Sequence, residues 1–217
     1  MPFTLLQTLT SDAVLDDAFA WLCQQRKGWP DSADVWDFRR HWATEKASLQ
    51  RELWDGTYQL GLLSRTTLAN GEEVDLWSAR DALVMKALTL VLQPVLPVSP
   101  HCTHLKGHGG LKGAIRQVRA HVTSHSFVFK TDVQSYYASI DHHRLLEILA
   151  PHIPEPKILR LVGQYLKRRA ERGGTGVGVS TGHFAGVSVK SVAWGRDVNR
   201  TRYTDRPTWP VLRAVYG

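Results

Sequence analysis

The chain has 217 residues, of which 43% are hydrophobic and 22% charged, a length and composition that allow one large globular domain or two small ones. Its net charge of +7 favours a polyanionic partner such as nucleic acid, although basic surfaces also serve solubility or anionic membranes. Two distant cysteines, Cys23 and Cys102, exclude a disulfide framework and indicate the reducing cytoplasm, and no apolar run is long enough to predict a membrane span.

The spacing of apolar residues predicts helices through the first part of the chain. A helix over residues 11–27 begins at a cap formed by Ser11 or Asp12. A second, longer helix is predicted over residues 34–55 and is expected to end at Gly56, because glycine readily adopts the left-handed conformation that closes a helix. The basic residues of this second helix fit a solvated face better than a nucleic-acid surface.

A hairpin and an apolar helix are predicted next. The β-rich run at residues 58–63 is expected to pair with residues 74–77 through a turn at Asn70 and Gly71. Ser78 is placed to cap the following helix. The predicted buried stripe of that helix is Val84, Ala87, Leu88, Val91 and Leu92.

The middle of the chain combines a polar loop, helices and one strand. Residues 100–113 form a loop rich in histidine and glycine, and an amphipathic helix follows it. The apolar positions of that helix are Leu111, Ile115, Val118 and Val122. The strand at residues 127–129 leads to Asp132, and Asp141 is placed to cap the next helix. A further helix begins at Pro154 and is expected to end in the basic cluster at residues 167–169. Because strands and helices alternate without a regular βαβ order, the predicted class is α+β.

Asp132 stands where an apolar strand delivers a carboxylate to its C-terminal end. This arrangement is a usual way to hold a metal ligand at the edge of a sheet. A single aspartate after a strand is more often a turn former or a cap, so this feature alone favours the structural role.

The surrounding residues 126–149 read SFVFKTDVQSYYASIDHHRLLEIL. They resemble the first catalytic motif of reverse transcriptases of the bacterial and group II intron type, in which a strand carries an aspartate, an aromatic pair follows, and a Ser-Ile-Asp-His turn enters a helix. The resemblance implies that Asp132 binds Mg²⁺, with the Val133 carbonyl as an accessory ligand, to activate a primer 3′-hydroxyl and neutralise a triphosphate. It also implies that Tyr137 is the aromatic gate under the sugar, which rejects a 2′-hydroxyl. The alternative for Tyr137 is ordinary core packing.

Two upstream segments extend the resemblance. Residues 76–81 read LWSARD and resemble the early fingers segment of this family, and residues 104–114, HLKGHGGLKGA, stand where the family has its fingers loop. The resemblance implies that a basic residue here contacts the incoming triphosphate. Lys106 is the first candidate, and Arg80 and Lys112 are the others. A lysine flanked by glycines also suits phosphate binding, because the backbone can approach the phosphate closely.

An alternative for the same loop is a zinc site, since imidazole and thiolate are good zinc ligands. Its candidate ligands are His101, Cys102, His104 and His108. Their spacing matches no standard structural zinc pattern, and no second ligand pair follows them. The zinc site therefore stays the lesser alternative to the fingers loop.

The resemblance ends near Gly174. The basic run at residues 167–172 fits either the end of a palm helix or a solvated helix end, where cations suit the dipole. Beyond it the family has a Gln- or Cys-Pro-Leu-Ser-Pro segment and a Tyr-X-Asp-Asp box with the remaining metal carboxylates, and neither is present. Residues 182–196, back-translated and read one nucleotide forward, permit Gly-Ile-Ser-Arg-Gly-Cys-Pro-Leu-Ser-Pro-Leu-Leu-Gly-Ala. We therefore predict a frameshift near residues 175–176.

Together these features predict the fingers and partial palm of a right-hand polymerase. The predicted divisions are a helical N-terminal extension over residues 1–65, fingers and the first part of the palm over 66–174, and an out-of-frame, disordered tail over 175–217. The family reaction is DNA synthesis from dNTP on an RNA template and a DNA primer, but one carboxylate cannot hold two Mg²⁺ ions, so this chain alone is expected to be inactive. The alternatives are a non-catalytic basic RNA- or DNA-binding module and a pseudogene product. No membrane or protein partner is indicated.

Overall fold

The computed structural model describes residues 4–67, 73–105, 107–133, 139–172, 175–178 and 189–194. Helices predominate and the strands form small sheets, so the mixed α and β composition that the sequence predicted is confirmed. Among the described helices, none has the length and apolar character needed to cross a bilayer. The assignment of these elements to fingers and palm stays a prediction.

The elements group into two compact units. The helices are α1 (Leu5–Leu9), α2 (Asp12–Gln25), α3 (Asp34–Arg40), α4 (Trp42–Asp55), α5 (Ala79–Leu92), α6 (Gly110–Val122), α7 (His142–Leu149) and α8 (Pro156–Leu166). The strands are β1 (Leu63–Thr67), β2 (Glu73–Leu76), β3 (Val128–Val133), β4 (Arg169–Arg172), β5 (Thr175–Gly178) and β6 (Val189–Trp194). The first unit contains the described residues of 1–96 and 140–182, and the second contains those of 97–139 and 183–208. The predicted boundaries after residues 65 and 174 stay a prediction.

Helix α5 lies at the centre of the first unit, where it packs against α1, α2 and α3. Ser78 caps it as predicted, with the Asp81 N–H donating to the Ser78 hydroxyl at 3.0 Å. The predicted stripe from Val84 to Leu92 is buried. Leu83 and Asp81, which lie outside that stripe, are buried as well. A helix buried on more than one face is typical of the core of a bundle.

His41 separates two helices where the sequence predicted one continuous helix over residues 34–55. Its backbone lies outside the helical region at φ −103° and ψ 19°, although its N–H still donates to the Asp37 carbonyl at 3.1 Å. Phe38 and Trp42, on either side of the break, meet with ring centroids 5.7 Å apart, and Trp42 stacks on Phe19 of α2 at 4.2 Å. The helical spacing continues across the single irregular residue, so periodicity could not locate the break.

The predicted strand over residues 58–63 is wrong, because β1 begins only at Leu63. The backbone groups before it are taken by side chains. The Leu60 N–H donates to Gln164 Oε1 at 2.7 Å, and the Gly61 N–H donates to Asp81 Oδ2 at 3.2 Å. These donors are therefore not available to a neighbouring strand, and residues 58–62 form no strand.

An antiparallel hairpin onto residues 73–76 is present, but its first strand covers residues 63–67 and not the predicted residues 58–63. β1 and β2 run antiparallel, with Ser64 opposite Leu76 and Thr67 opposite Glu73. The predicted turn residues Asn70 and Gly71 lie outside the described residues. β4 then joins the other side of β1 in parallel and pairs with β5, which gives the sheet order β2-β1-β4-β5.

The sequence predicted that the basic run at residues 167–172 forms the end of a helix, and most of the run forms a strand instead. Helix α8 ends at Leu166, and Arg169–Arg172 form strand β4. The run therefore turns the chain from α8 into the sheet, where pairing with β1 supplies the backbone hydrogen bonds that a frayed helix end would leave to water.

The second unit contains α6, β3 and β6. The amphipathic helix predicted after the polar loop is confirmed as α6, and its apolar stripe is exposed. β3 and β6 run antiparallel with Val128 opposite Trp194 and Val133 opposite Val189. The sequence indicated no strand after residue 187, because residues 189–194 lack strict alternation. The pairing with β3 stabilises the strand conformation of residues 189–194, which their local sequence does not favour.

Candidate functional site

Asp132 and Val133 lie in the last two positions of β3, the strand predicted to carry them. The register places Lys190 of β6 opposite Asp132 and Val189 opposite Val133. Tyr137 and Lys106, the predicted sugar gate and triphosphate ligand, lie outside the described residues. The described backbone therefore places Asp132 and Val133 on a strand and leaves the roles of all four residues as predictions.

Within the described residues, the strand paired with β3 adds no carboxylate to that of Asp132. Two-metal sites need several carboxylates, and the partner strand β6, Val-Lys-Ser-Val-Ala-Trp, contributes a lysine opposite Asp132 and no acid. Nowhere in the described ranges do three or more histidine, cysteine or acidic side chains come together in a group that could hold a metal. No metal-dependent step can be assigned to these residues.

Only two of the four alternative zinc ligands in the loop before α6 are shown in contact. Cys102 Sγ lies 3.3 Å from His104 Nδ1, a contact between neighbours in sequence. His101 and His108, which the structure also describes, do not complete a group of three or more candidate ligands with them. A structural zinc site needs four ligands, so the described loop does not form one.

Arg80, a predicted triphosphate ligand, is held by two carboxylates. Its Nη2 and Nη1 donate to the Glu52 carboxylate at 2.7 and 3.0 Å, and its Nε donates to Glu45 at 3.0 Å. The guanidinium also lies 5.3 Å from the centre of the Tyr58 ring. Hydrogen bonds from Arg80 hold the pKa of Glu52 below its ordinary value. A triphosphate would have to compete with both carboxylates, so the predicted role of Arg80 needs a rearrangement of these pairs.

Lys112, the remaining predicted phosphate ligand, lies in the first turn of α6 and is exposed. The helix begins after Gly109, which has a left-handed φ of 87° and whose carbonyl accepts from the Gly113 N–H at 2.8 Å. A side chain at residue 109 would place its Cβ 3.1 Å from the Gly113 Cα. The glycines thus allow a tight helix start, and the phosphate role of Lys112 stays a prediction.

Asp81 is the centre of a buried hydrogen-bond network that the sequence analysis did not predict. The Tyr58 hydroxyl donates to Asp81 Oδ1 at 2.6 Å, and the Ser78 hydroxyl donates to Oδ2 at 2.8 Å. With the Gly61 N–H also donating to Oδ2, the network ties residues 58–61 to the start of α5. Burial, then the nearby Asp81 charge, raises the pKa of Tyr58, so this hydroxyl stays protonated as a donor. The Ser-x-x-Asp spacing was the available sequence signal, because it is typical of a helix start.

A groove of about 690 Å³, here called the basic groove, lies between residues 59–62 and one face of α8. Its lining residues are Gln59, Leu60, Gly61, Leu62, Leu146, Pro156, Leu159, Arg160, Gly163, Gln164, Lys167, Arg168 and Arg169. The lining thus includes four cationic side chains and no acid. The sequence had indicated only that the last three cations end a helix, and it had no signal that residues 59–62 lie opposite them.

Asp141 caps α7 as predicted, and its carboxylate accepts from the Arg144 N–H at 3.0 Å. Hydrogen bonds from the backbone N–H groups of Arg144 and then His143 hold the pKa of Asp141 below its ordinary value. A lowered pKa in the folded state means that the capping carboxylate stabilises the protein above the unfolded pKa, near pH 4, and that this contribution is lost as the pH falls through the folded pKa.

We expect the stability difference between the wild type and Asp141→Asn to depend on pH in that window. Asparagine is also a good cap but does not titrate, so it serves as the matched reference. Urea unfolding at a series of pH values should show a wild-type advantage above about pH 4 that shrinks on acidification. A difference that stays constant between neutral and acidic pH would contradict the capping role of the charge.

Comparison with known proteins places the chain in no family. No family model matches it, and no curated protein matches it. A function can therefore be inferred only from the chain's own residues and their placement.

Proposed function

We propose that the chain is the N-terminal part of a reverse transcriptase whose reading frame changes near residue 175, and that by itself it has negligible polymerase activity. The observation that carries the proposal is the order of elements at residues 128–149. Strand β3 carries Asp132 near its end, and Asp141 caps the helix α7 that follows. This order of strand, carboxylate and capped helix supports the resemblance to the first catalytic motif of the family.

The expected inactivity follows from the number of carboxylates. RNA-templated DNA synthesis by this family uses two metal ions at one site, and they supply the activation of the primer 3′-hydroxyl and the neutralisation of the triphosphate. Asp132 is the one carboxylate of the expected ligand set that the motif contributes, and Lys190 lies opposite it in the neighbouring strand. One carboxylate beside a lysine position does not balance the charge of two divalent cations.

The gene sequence across codons 170–220 tests the frameshift directly. The family segment Cys-Pro-Leu-Ser-Pro is readable one nucleotide forward only if Ser188 and Ser191 use codons of the TCN class. A downstream Tyr-X-Asp-Asp box in the shifted frame would support the proposal further. If either serine is encoded by AGT or AGC, the reconstruction fails.

A repaired gene tests the chemistry. We expect the chain as it stands to give no Mg²⁺-dependent extension of a DNA primer on an RNA template. Removing the frame change should yield a longer protein that extends the primer, and Asp132→Ala in that protein should abolish extension, because the motif aspartate is then lost. Extension by the present chain that disappears in Asp132→Ala would contradict the proposed inactivity.

A second candidate is a non-catalytic RNA- or DNA-binding module, and the basic groove is the observation that favours it. Salt-sensitive binding of RNA without any Mg²⁺-dependent incorporation, in the repaired protein as well, would favour this module over the polymerase. A third candidate, a poorly folded pseudogene product, predicts no cooperative thermal unfolding, so a sharp transition would argue against it.

A further inference from the structure

We infer that the basic groove binds the phosphodiester backbone of a single nucleic-acid strand. The inference deepens the proposed function and rests on it for the nature of the polyanion. It assigns a binding surface to Arg160, Lys167, Arg168 and Arg169, none of which the resemblance implicates in catalysis or nucleotide binding. The surface lies within the first unit, whereas Asp132 belongs to the second.

None of the four cations of the groove pairs with an acid among the described residues. Lys167 and Arg169 are exposed and form no ion pair with any residue in the described part of the chain. Arg160 donates to the Gly56 carbonyl, and Arg168 donates to the Tyr165 carbonyl at 3.3 Å. Bonds to neutral carbonyls position these guanidinium groups without cancelling their charge.

Other cations of the same unit differ from those of the groove because they pair with acids. Arg26 pairs with Asp34 at 3.1 Å, Lys46 with Asp12 at 3.1 Å, and Arg80 with Glu52 at 2.7 Å. Arg65 likewise pairs with Asp75 at 2.7 Å. These pairs are local and balanced, whereas the groove gathers four positive charges around one concave surface. Such a surface concentrates an anionic ligand and steers it inward.

Two acids next to lining residues in sequence contact groups outside the groove. Glu147, which follows Leu146, lies 3.1 Å from Arg144 and 3.3 Å from His143. Glu155, which precedes Pro156, accepts the Leu5 N–H through Oε1 at 2.8 Å. Neither carboxylate lines the groove, so the side chains that face its interior include four cations and no acid.

The walls of the groove are fixed by the surrounding structure. One face of α8 lines the groove with Pro156, Leu159, Arg160, Gly163 and Gln164, and Lys167 follows them as the C-cap of the helix. The opposite face of the helix, which includes Ile158 and Leu161, is buried in the core. Gln164 holds the other wall, since it donates to the Tyr58 carbonyl at 3.1 Å and accepts from the Leu60 N–H. A binding surface that is already ordered pays little conformational entropy on binding.

The chemistry of the lining suits a nucleic-acid strand rather than a small anion. Beside the four cations, the groove exposes apolar side chains, of which Leu62 is 49% exposed. A single strand presents phosphates on one side and flat apolar bases on the other, and positively charged grooves that track the backbone are typical of single-strand binding. Because the surface is concave, a flat membrane would contact its rim and not its floor.

Gly163 on the floor of the groove provides a sharp test. Its Cβ would meet only the Leu146 Cδ1 at 3.8 Å, an ordinary contact, so the helix accepts Gly163→Ala and the Cβ of Gly163→Glu without a clash. The glutamate places a negative charge among the four cations. Gly28→Glu is the matched control, because it makes the same charge change where a Cβ would meet no atom within 4 Å.

Fluorescence anisotropy with a short single-stranded RNA, and with DNA of the same sequence, measures binding by the full chain. We expect Gly163→Glu to weaken binding of the preferred strand about tenfold or more at low salt, since a charge in the groove acts at close range. Gly163→Ala and Gly28→Glu should stay within about twofold of the wild type, because neither places a charge in the groove. Lys167→Ala and Arg169→Ala should each reduce the slope of log Kd against log salt by about 0.7 if each contacts one phosphate of a single strand.

The outcomes separate the groove from the proposed function. The wild type could bind a strand while Gly163→Glu and the two alanine variants bind it as tightly as Gly28→Glu does. In that case the basic groove is not the binding surface, and the proposed function stands. If the wild type binds neither strand, the nucleic-acid partnership fails as well. Binding to anionic vesicles that the same variants weaken, with no binding to RNA or DNA, would also overturn the inference. Because the alanine variants leave α8 intact, a folding defect in Gly163→Glu would not remove the test.

Discussion

Leu83→Ala is expected to lower the free energy of unfolding by about 3 kcal/mol, within the range found for leucines truncated in protein cores. Leu83 is fully buried in α5, which packs against three other helices. Removing its side chain loses the transfer free energy and leaves a cavity that several rigid neighbours cannot collapse into. Urea unfolding followed by tryptophan fluorescence measures the change.

Leu111→Ala is the matched control for this prediction. Leu111 is 78% exposed on α6, so the same truncation should change the free energy of unfolding by no more than about 0.5 kcal/mol. If Leu83→Ala proved as mild as Leu111→Ala, α5 would not be the centre of the core.

Asp81→Ala is expected to cost about 3 kcal/mol for a different reason. Asp81 is only 5% exposed and accepts hydrogen bonds from the Tyr58 hydroxyl, the Ser78 hydroxyl and the Gly61 N–H. Alanine leaves a buried tyrosine hydroxyl and a backbone donor without an acceptor, and each unsatisfied buried group costs about 1–3 kcal/mol. The loss should appear in urea unfolding as a lower midpoint with an unchanged slope.

A double-mutant cycle with Tyr58→Phe tests the origin of that cost. Tyr58→Phe removes the donor at 2.6 Å from Asp81, so the double variant should be more stable than the sum of the single losses predicts, by about 1 kcal/mol or more. Strict additivity would mean that the two side chains do not share the bond. Asp81→Asn, which keeps the shape and one acceptor, should be milder than Asp81→Ala.

Features that depend on neighbouring residues were predictable from the sequence. Ser78 and Asp141 cap helices, and Gly56 ends α4 in the left-handed conformation at φ 73°. In each case the hydrogen-bond partner or the required backbone conformation lies within about four residues, so residue type and spacing suffice. The buried stripe of α5 was predictable for the same reason, because one apolar face has a helical period.

Features set by distant contacts were not predictable. The break at His41 accompanies the stacking of Trp42 on Phe19 of another helix. The late start of β1 follows from the bonds that Asp81 and Gln164 make to the backbone of residues 60 and 61. Leu83 and Asp81 are buried because other helices cover the second face of α5, and a single helical period reports only one face.

The functional residues also divide into those placed by local sequence and those placed by distant contacts. By itself the sequence determined that Asp132 ends an apolar strand, that Asp141 caps the next helix, and that the net charge is positive, because each of these depends on local order or composition. Only the tertiary structure decided that Arg80 faces Glu45 and Glu52 and that the cations after α8 face residues 59–62 across a groove. The physical reason is that charges interact through space. The bond from Leu60 to Gln164 joins residues 104 positions apart, and no local pattern encodes which charges such a contact brings together.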